Sequence, residues 1–208
     1  MANADRARGF IPVRHTNGSP WNGVATPYLV PAADGTAIYI GDPVKQGGTS
    51  GGVGTTAAGM DTEGMSTVSR DESGTAGQDF VGVVVGFMPD PTNLALKHRA
   101  ASTLRVAMVC TDPTTIYEVQ EDAAGTQIAS TSVGLNCSII TTAGSSTTGV
   151  SGMMLDSSAV ATTSTLPVKI IGLVKRPDNA LSTGTTDKAK FEVFFNTGWY
   201  NSNSVGTA

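Results

Sequence analysis

The sequence predicts an all-β protein: a barrel-like or sandwich body, read as two similar β modules behind an extended N-terminal arm. Three observations predict it. Short β-branched and aromatic runs recur between Gly, Pro, Asn and Asp breaks. No stretch keeps a helical period over three turns, so helix content should be low. Charged residues make up only 14% of the chain, against ~25% in ordinary soluble domains. Ser, Thr and Gly take their place, with 25 glycines. A polar but weakly charged surface suits packing against copies or a large partner. A turn-rich β protein would have much the same composition, so both readings stay open. At 208 residues the chain suffices for one large domain or two small ones, and folding would bury about 70% of its unfolded surface.

Residues 1–24 read as the arm. Pro12 and Pro20 fix φ, and Asn17-Gly18 and Asn22-Gly23 are turn dipeptides. Phe10, Ile11, Val13 and Trp21 are spaced as anchors and form no stripe. They would dock on the chain's own body, on a sister subunit or on a larger partner.

The first module is expected over 25–112. Tyr28-Leu29-Val30 and Ala37-Ile38-Tyr39-Ile40 read as strands around a Pro31–Gly35 turn. Residues 46–79 are dominated by Gly, Thr, Ser and Ala and read as a long loop, ordered by contact with neighbours or else disordered. Phe80–Phe87 is the strongest strand, apolar on both faces and hence central. Leu104–Val109 alternates and reads as another strand.

The second module is expected over 113–200. Ile116–Val119, Cys137–Ile140, Val168–Val174 and Phe191–Phe195 read as strands, with a Gly/Ser/Thr loop over 141–151 and a disordered tail over 201–208. The halves invite comparison as a duplication. Residues 37–40 match 115–118, 83–87 match 170–174, and 104–106 match 191–193, in the same order. Chance likeness between strands gives the same impression, so both explanations stand.

The net charge is -4. Residues 1–24 carry Arg6, Arg8 and Arg14 against Asp5, which places a small basic arm on an acidic body. Phosphate binding needs clustered Lys and Arg, so nucleic acid is not expected as a partner. No secretory h-region opens the chain and no apolar run approaches membrane length, so no membrane association is expected.

Groups suited to catalysis are few. His15 and His98 form no spaced metal pair, and no cofactor or metal is expected. Cys110 and Cys137 sit in β-like runs and read as buried thiols; a couple with His98 has no local signature. Gly47–Gly54 superficially resembles a phosphate loop but lacks the Gly-Lys-Ser/Thr ending. Glu118, Glu121 and Asp122 form an acidic cluster that could serve a glycosidase or be a solvated strand end. Asp61, Glu63, Asp71, Glu72 and Asp79 could hold Ca²⁺ but lack the loop spacing of a calcium hand. No enzyme activity is expected.

Several tracts resemble virion structural proteins of tailed phages. They are Asp5–Phe10 with Asn17–Gly23, Gly41–Val44 with Val81–Gly86, and Tyr117–Asp122 with Gly134–Asn136, Gly149–Gly152 and Leu166–Gly172. The resemblance covers most of the chain in style and short tracts. It implies a capsid decoration, or cement, protein of a bacteriophage. Such a protein would be made in the host cytoplasm, act on the capsid exterior, form a homo-oligomer such as a homotrimer, and have the major capsid protein as partner. The alternative is a head-fibre or tail-associated module binding host or glycan, with Trp199 or Tyr200 on a groove. The residues expected to bind the capsid are Arg6, Arg8, Phe10, Arg14 and Trp21, because Arg and Trp are favoured at hot spots.

Overall fold

A computed structural model describes residues 3–74, 80–124, 126–181 and 188–198. The first β unit is built from β2 (Thr26–Val30), β3 (Pro43–Ser50), β6 (Ser66–Arg70), β7 (Phe80–Phe87) and β8 (Arg105–Cys110). These close into a barrel in the order β2-β6-β3-β7-β8. Every pairing is antiparallel except β2 with β6, which meet in parallel at Leu29 and Thr67. A small hairpin, β4 (Thr56–Ala57) and β5 (Met60–Asp61), stands between β3 and β6.

Alternation along the strands decides the barrel interior. Tyr28, Val30, Val44, Val68, Val84, Ala107 and Val109 form one buried cluster. Leu29 and Val106, opposite each other in register, point the other way and are covered by Ala57 of the small hairpin. Segment 46–79, expected as a loop, therefore contributes strands up to Arg70; residues 75–79 lie outside the described residues. Its small residues permit close backbone approach. A Cβ on Gly51 would lie 1.8 Å from the Thr62 carbonyl oxygen.

The second unit contains β9 (Thr115–Gln120), β10 (Asn136–Ile140), β11 (Met154–Ala161), β12 (Val168–Leu173) and β13 (Lys190–Phe195), with β1 (Ile11–His15) added at the edge beside β9. The sheet runs β1-β9-β13-β12-β10-β11. It curls until β9 meets β11 again: Glu121 and Leu155 form a parallel bridge, and the Asp122 N–H donates to the Leu155 carbonyl at 3.0 Å.

The two units follow one path. Reading β2, β3, β6, β7, β8 as β9, β10, β11, β12, β13 reproduces every neighbour, including the parallel contact that closes the circle. A bulge recurs in the same place. Register slips between Val84 and Gly86 against β8, and between Ile170 and Gly172 against β13. Two of the three sequence matches fall on this correspondence, β7 with β12 and β8 with β13. The third does not: residues 115–118 begin β9, whose counterpart is β2. Residues 37–40 make only single bridges, from Ile38 to Arg99 and from Ile40 to Val150.

The units share a core. Phe80 and Val83 of β7 and Cys110 at the end of β8 pack with Tyr117, Val119, Ile139, Leu155, Ile170, Phe191 and Phe195 of the second unit. This explains why Phe80–Phe87 is apolar on both faces: Val83 serves the shared core while Val81 and Val84 serve the barrel. A buried ion pair adds a polar tie. Arg70 Nε lies 3.2 Å from Asp42 Oδ2, and Arg70 Nη2 donates to the Thr142 carbonyl at 2.6 Å. Burial pushes the Asp42 carboxyl up, against the pull of Arg70 and the Ser151 hydroxyl.

Two arginines that the sequence reading did not single out hold the loops at one end of the barrel. Arg99, fully buried, donates to the carbonyls of Pro31, Asp34, Thr36 and Thr103. Arg105 donates to the carbonyls of Met88, Leu96 and His98, with its guanidinium 5.1 Å from the Phe87 ring centre. Planar, many-donor groups suit this task because each satisfies several carbonyls of irregular backbone at once.

Candidate functional site on the N-terminal face

The five residues expected to bind a shell separate on folding. Phe10 is a core residue, 1% exposed, stacked on Phe195 at 5.4 Å and edge-on to Tyr117 at 6.3 Å. Arg14 on β1 is spent on Glu192 of β13, with Nη2–Oε2 at 2.6 Å, and the bond to Glu192 raises its pKa. Trp21 is half-buried against the shared core. Only Arg6 and Arg8 are exposed. The arm is thus largely docked on its own body, because β1 completes a sheet edge and Phe10 completes a core. Phe10 is corrected from a contact residue to a core residue.

The crossing is close. The Phe10 N–H donates to the Gly41 carbonyl at 2.9 Å. Gly9 and Gly41 both have positive φ, +67° and +95°, and a Cβ on Gly41 would lie 2.3 Å from the Arg8 carbonyl oxygen. Only glycine at both positions lets the two segments lie so close.

Among the recesses beside this crossing are two of contrasting character. The first is an apolar groove of about 260 Å³ with Phe10, Ile11, Trp21, Ile40, Val84 and Val85 among its lining and Arg8 at its edge. The second is smaller, about 110 Å³, and charged: Arg6, Arg8, Arg176 and Lys190 surround it with Glu118, Gln120 and Asp178. Within it Arg176 pairs with Glu118, and the Arg6 N–H donates to Gln120 Oε1 at 2.8 Å. Beside it Lys188 lies 3.0 Å from Asp5, and that bond, with one from Gln120, lowers the Asp5 carboxyl. Lys190 could not be singled out from sequence, since only the pairing of β13 with β9 brings it beside Gln120.

The acidic cluster disperses to three separate sets of partners. Glu118 meets Arg176. Glu121, fully buried, accepts N–H bonds from Ile128 at 2.7 Å and Ala189 at 3.1 Å, and burial raises its carboxyl. Asp122 accepts from the Ser157 N–H and hydroxyl at 2.9 and 2.7 Å. The acids of the glycine-rich segment turn to local partners: Asp61 to the Glu63 N–H, Glu63 to the Gly54 N–H, Asp71 to Ser73 and Gly74, and Glu72 to Thr36. Asp79 lies outside the described residues, as do Trp199 and Tyr200. Among the described residues no group of three or more His, Cys, Asp or Glu is placed to hold a metal.

His15 lies 3.1 Å from Asp112 on the surface. His98 stacks on Tyr39 at 4.9 Å, and burial, with Arg105 nearby, lowers its pKa. Cys110 and Cys137 are both buried and free. Cys137 donates to the Asp156 carbonyl at 3.2 Å, and burial pushes its thiol up, away from reactivity. Among the described residues no helix is long and apolar enough to cross a membrane.

No protein-family model, curated protein or solved structure matches this chain.

Proposed function

We propose that the chain is a non-catalytic decoration protein of a phage head, binding the shell exterior as a homo-oligomer and tying neighbouring shell subunits together. The observation that carries this reading is the placement of Arg6 beside Lys190, on a recess at the surface of an acidic chain. Exposed Arg6 and half-buried Lys190, lining one recess, suit an acidic group on a large partner. A closed barrel and a curled sheet with one shared core supply the spacer for it. One contact of ordinary size need not bind tightly; linked contacts on a repeating wall gain roughly 10²–10⁴ in avidity.

The test is co-sedimentation with empty shells, comparing the intact chain with an Arg6→Glu, Lys190→Glu variant. The intact chain should pellet with shells and the variant should stay in the supernatant. Failure of the intact chain to pellet would end the decoration reading. Equal pelleting of both would remove this recess from it.

A further inference from the structure

The molecule carries a projection and a recess whose chemistries match. The projection is the turn between β3 and β4. Val53 at its tip is 90% exposed, the most exposed of the large hydrophobic side chains. The turn is rigid: the Thr55 N–H and hydroxyl both donate to the Gly52 carbonyl, at 3.2 and 2.6 Å, and Glu63 accepts the Gly54 N–H at 3.3 Å. Segment 51–65 contains Asp61 and Glu63, both exposed, and no Lys or Arg. A single exposed valine is ordinary. One held on a pre-ordered turn beside two carboxylates is a shaped, acidic-rimmed knob.

The recess is the apolar groove at the N-terminal crossing, with Trp21, Val84 and Val85 in its walls. Arg8 stands at its edge, exposed, with no ion pair among the described residues. The knob is apolar with acidic flanks, and the groove is apolar with a basic flank.

They cannot meet within one molecule. Gly41 in the groove lies just before β3, and Val53 lies just after it. Strand β3, bulged between Gln46 and Ser50, separates them by roughly 20 Å. We propose that the knob of one copy seats in the groove of a second copy, Val53 against Trp21 and Val85, with Asp61 and Glu63 reaching Arg8. A contact between two different patches is head-to-tail, so it builds a ring when the rotation closes. Arg8 also borders the charged recess, so this contact is read in solution without shells.

The experiment is sedimentation equilibrium on the full chain. The wild type should run as a multimer. Val53→Asp and Arg8→Glu should each weaken self-association about tenfold or more. Asp61→Lys should do the same, and combining it with Arg8→Glu in one chain should restore the multimer. All these side chains are exposed, so far-UV circular dichroism should be unchanged throughout. A monomeric wild type, or a multimer indifferent to the three weakening variants, would overturn the proposal. So would a charge-swapped chain that stays dissociated.

Discussion

The ring of Phe10 stacks on that of Phe195, with centroids 5.4 Å apart and planes 28° from parallel. The N-terminal segment is therefore part of the core. Phe10→Ala should cost about 3–5 kcal/mol, the usual range for truncating a buried Phe, measured by denaturant titration. Deleting residues 1–24 should lower the melting temperature for the same reason, since it also strips β1 from β9. A deletion that melts like the intact chain would refute this view of the arm.

Gly41 and Arg8 cross at a distance that leaves no room for a methyl group. Gly41→Ala combines that clash with a φ of +95° and should cost on the order of 1–3 kcal/mol. The strain should be relieved by lifting the arm. Trypsin should then cut after Arg6 and Arg8 faster than in the wild type, and an unchanged cleavage rate would speak against it.

Glu121 accepts two backbone N–H groups with no exposure to water. Glu121→Gln offers one acceptor and turns an NH₂ toward the other N–H, which should cost about 1–3 kcal/mol at neutral pH. The folded carboxyl titrates above its ordinary 4.5 because burial disfavours its charge. Its contribution is therefore fully present below pH 4.5 and is lost as pH rises through the folded value. The difference between wild type and variant, followed by chemical denaturation across the acid range, should shift in that direction.

His98 works in the opposite sense. Its imidazole is buried against Tyr39, Nδ1 has no hydrogen-bond partner, and Arg105 lies nearby, so its folded pKa sits below the ordinary 6.5. Protonation favours the unfolded chain. Stability from this site is complete above pH 6.5 and falls as pH drops through the window beneath it. His98→Gln should flatten that part of the profile, and a variant with the wild-type slope would exclude His98 as its source.

The strands that sequence revealed best were those with large β-branched residues. Phe80–Phe87, Arg105–Cys110, Val168–Leu173 and Lys190–Phe195 announce themselves because their side chains do the packing. Strands β3 to β6 were hidden because Gly, Thr and Ser carry little packing signal, and there backbone pairing sets the structure. The candidate anchors were half legible. Arg6 and Arg8 could be read as exposed cations. That Phe10 enters the core and Arg14 meets Glu192 depends on residues some 180 positions away.

The sequence by itself determined that this chain is mostly β and that residues 1–24 are net basic on an acidic whole. Those properties are local: alternation, turn chemistry and composition act over a few residues. Only the tertiary structure decided that the same five-strand path is followed twice, that the arm is an edge strand, and that a valine-tipped turn and an apolar groove stand at opposite ends of β3. Strand pairing joins residues distant in the chain, and because its backbone hydrogen bonds are the same for every sequence, packing of the assembled core selects the partner.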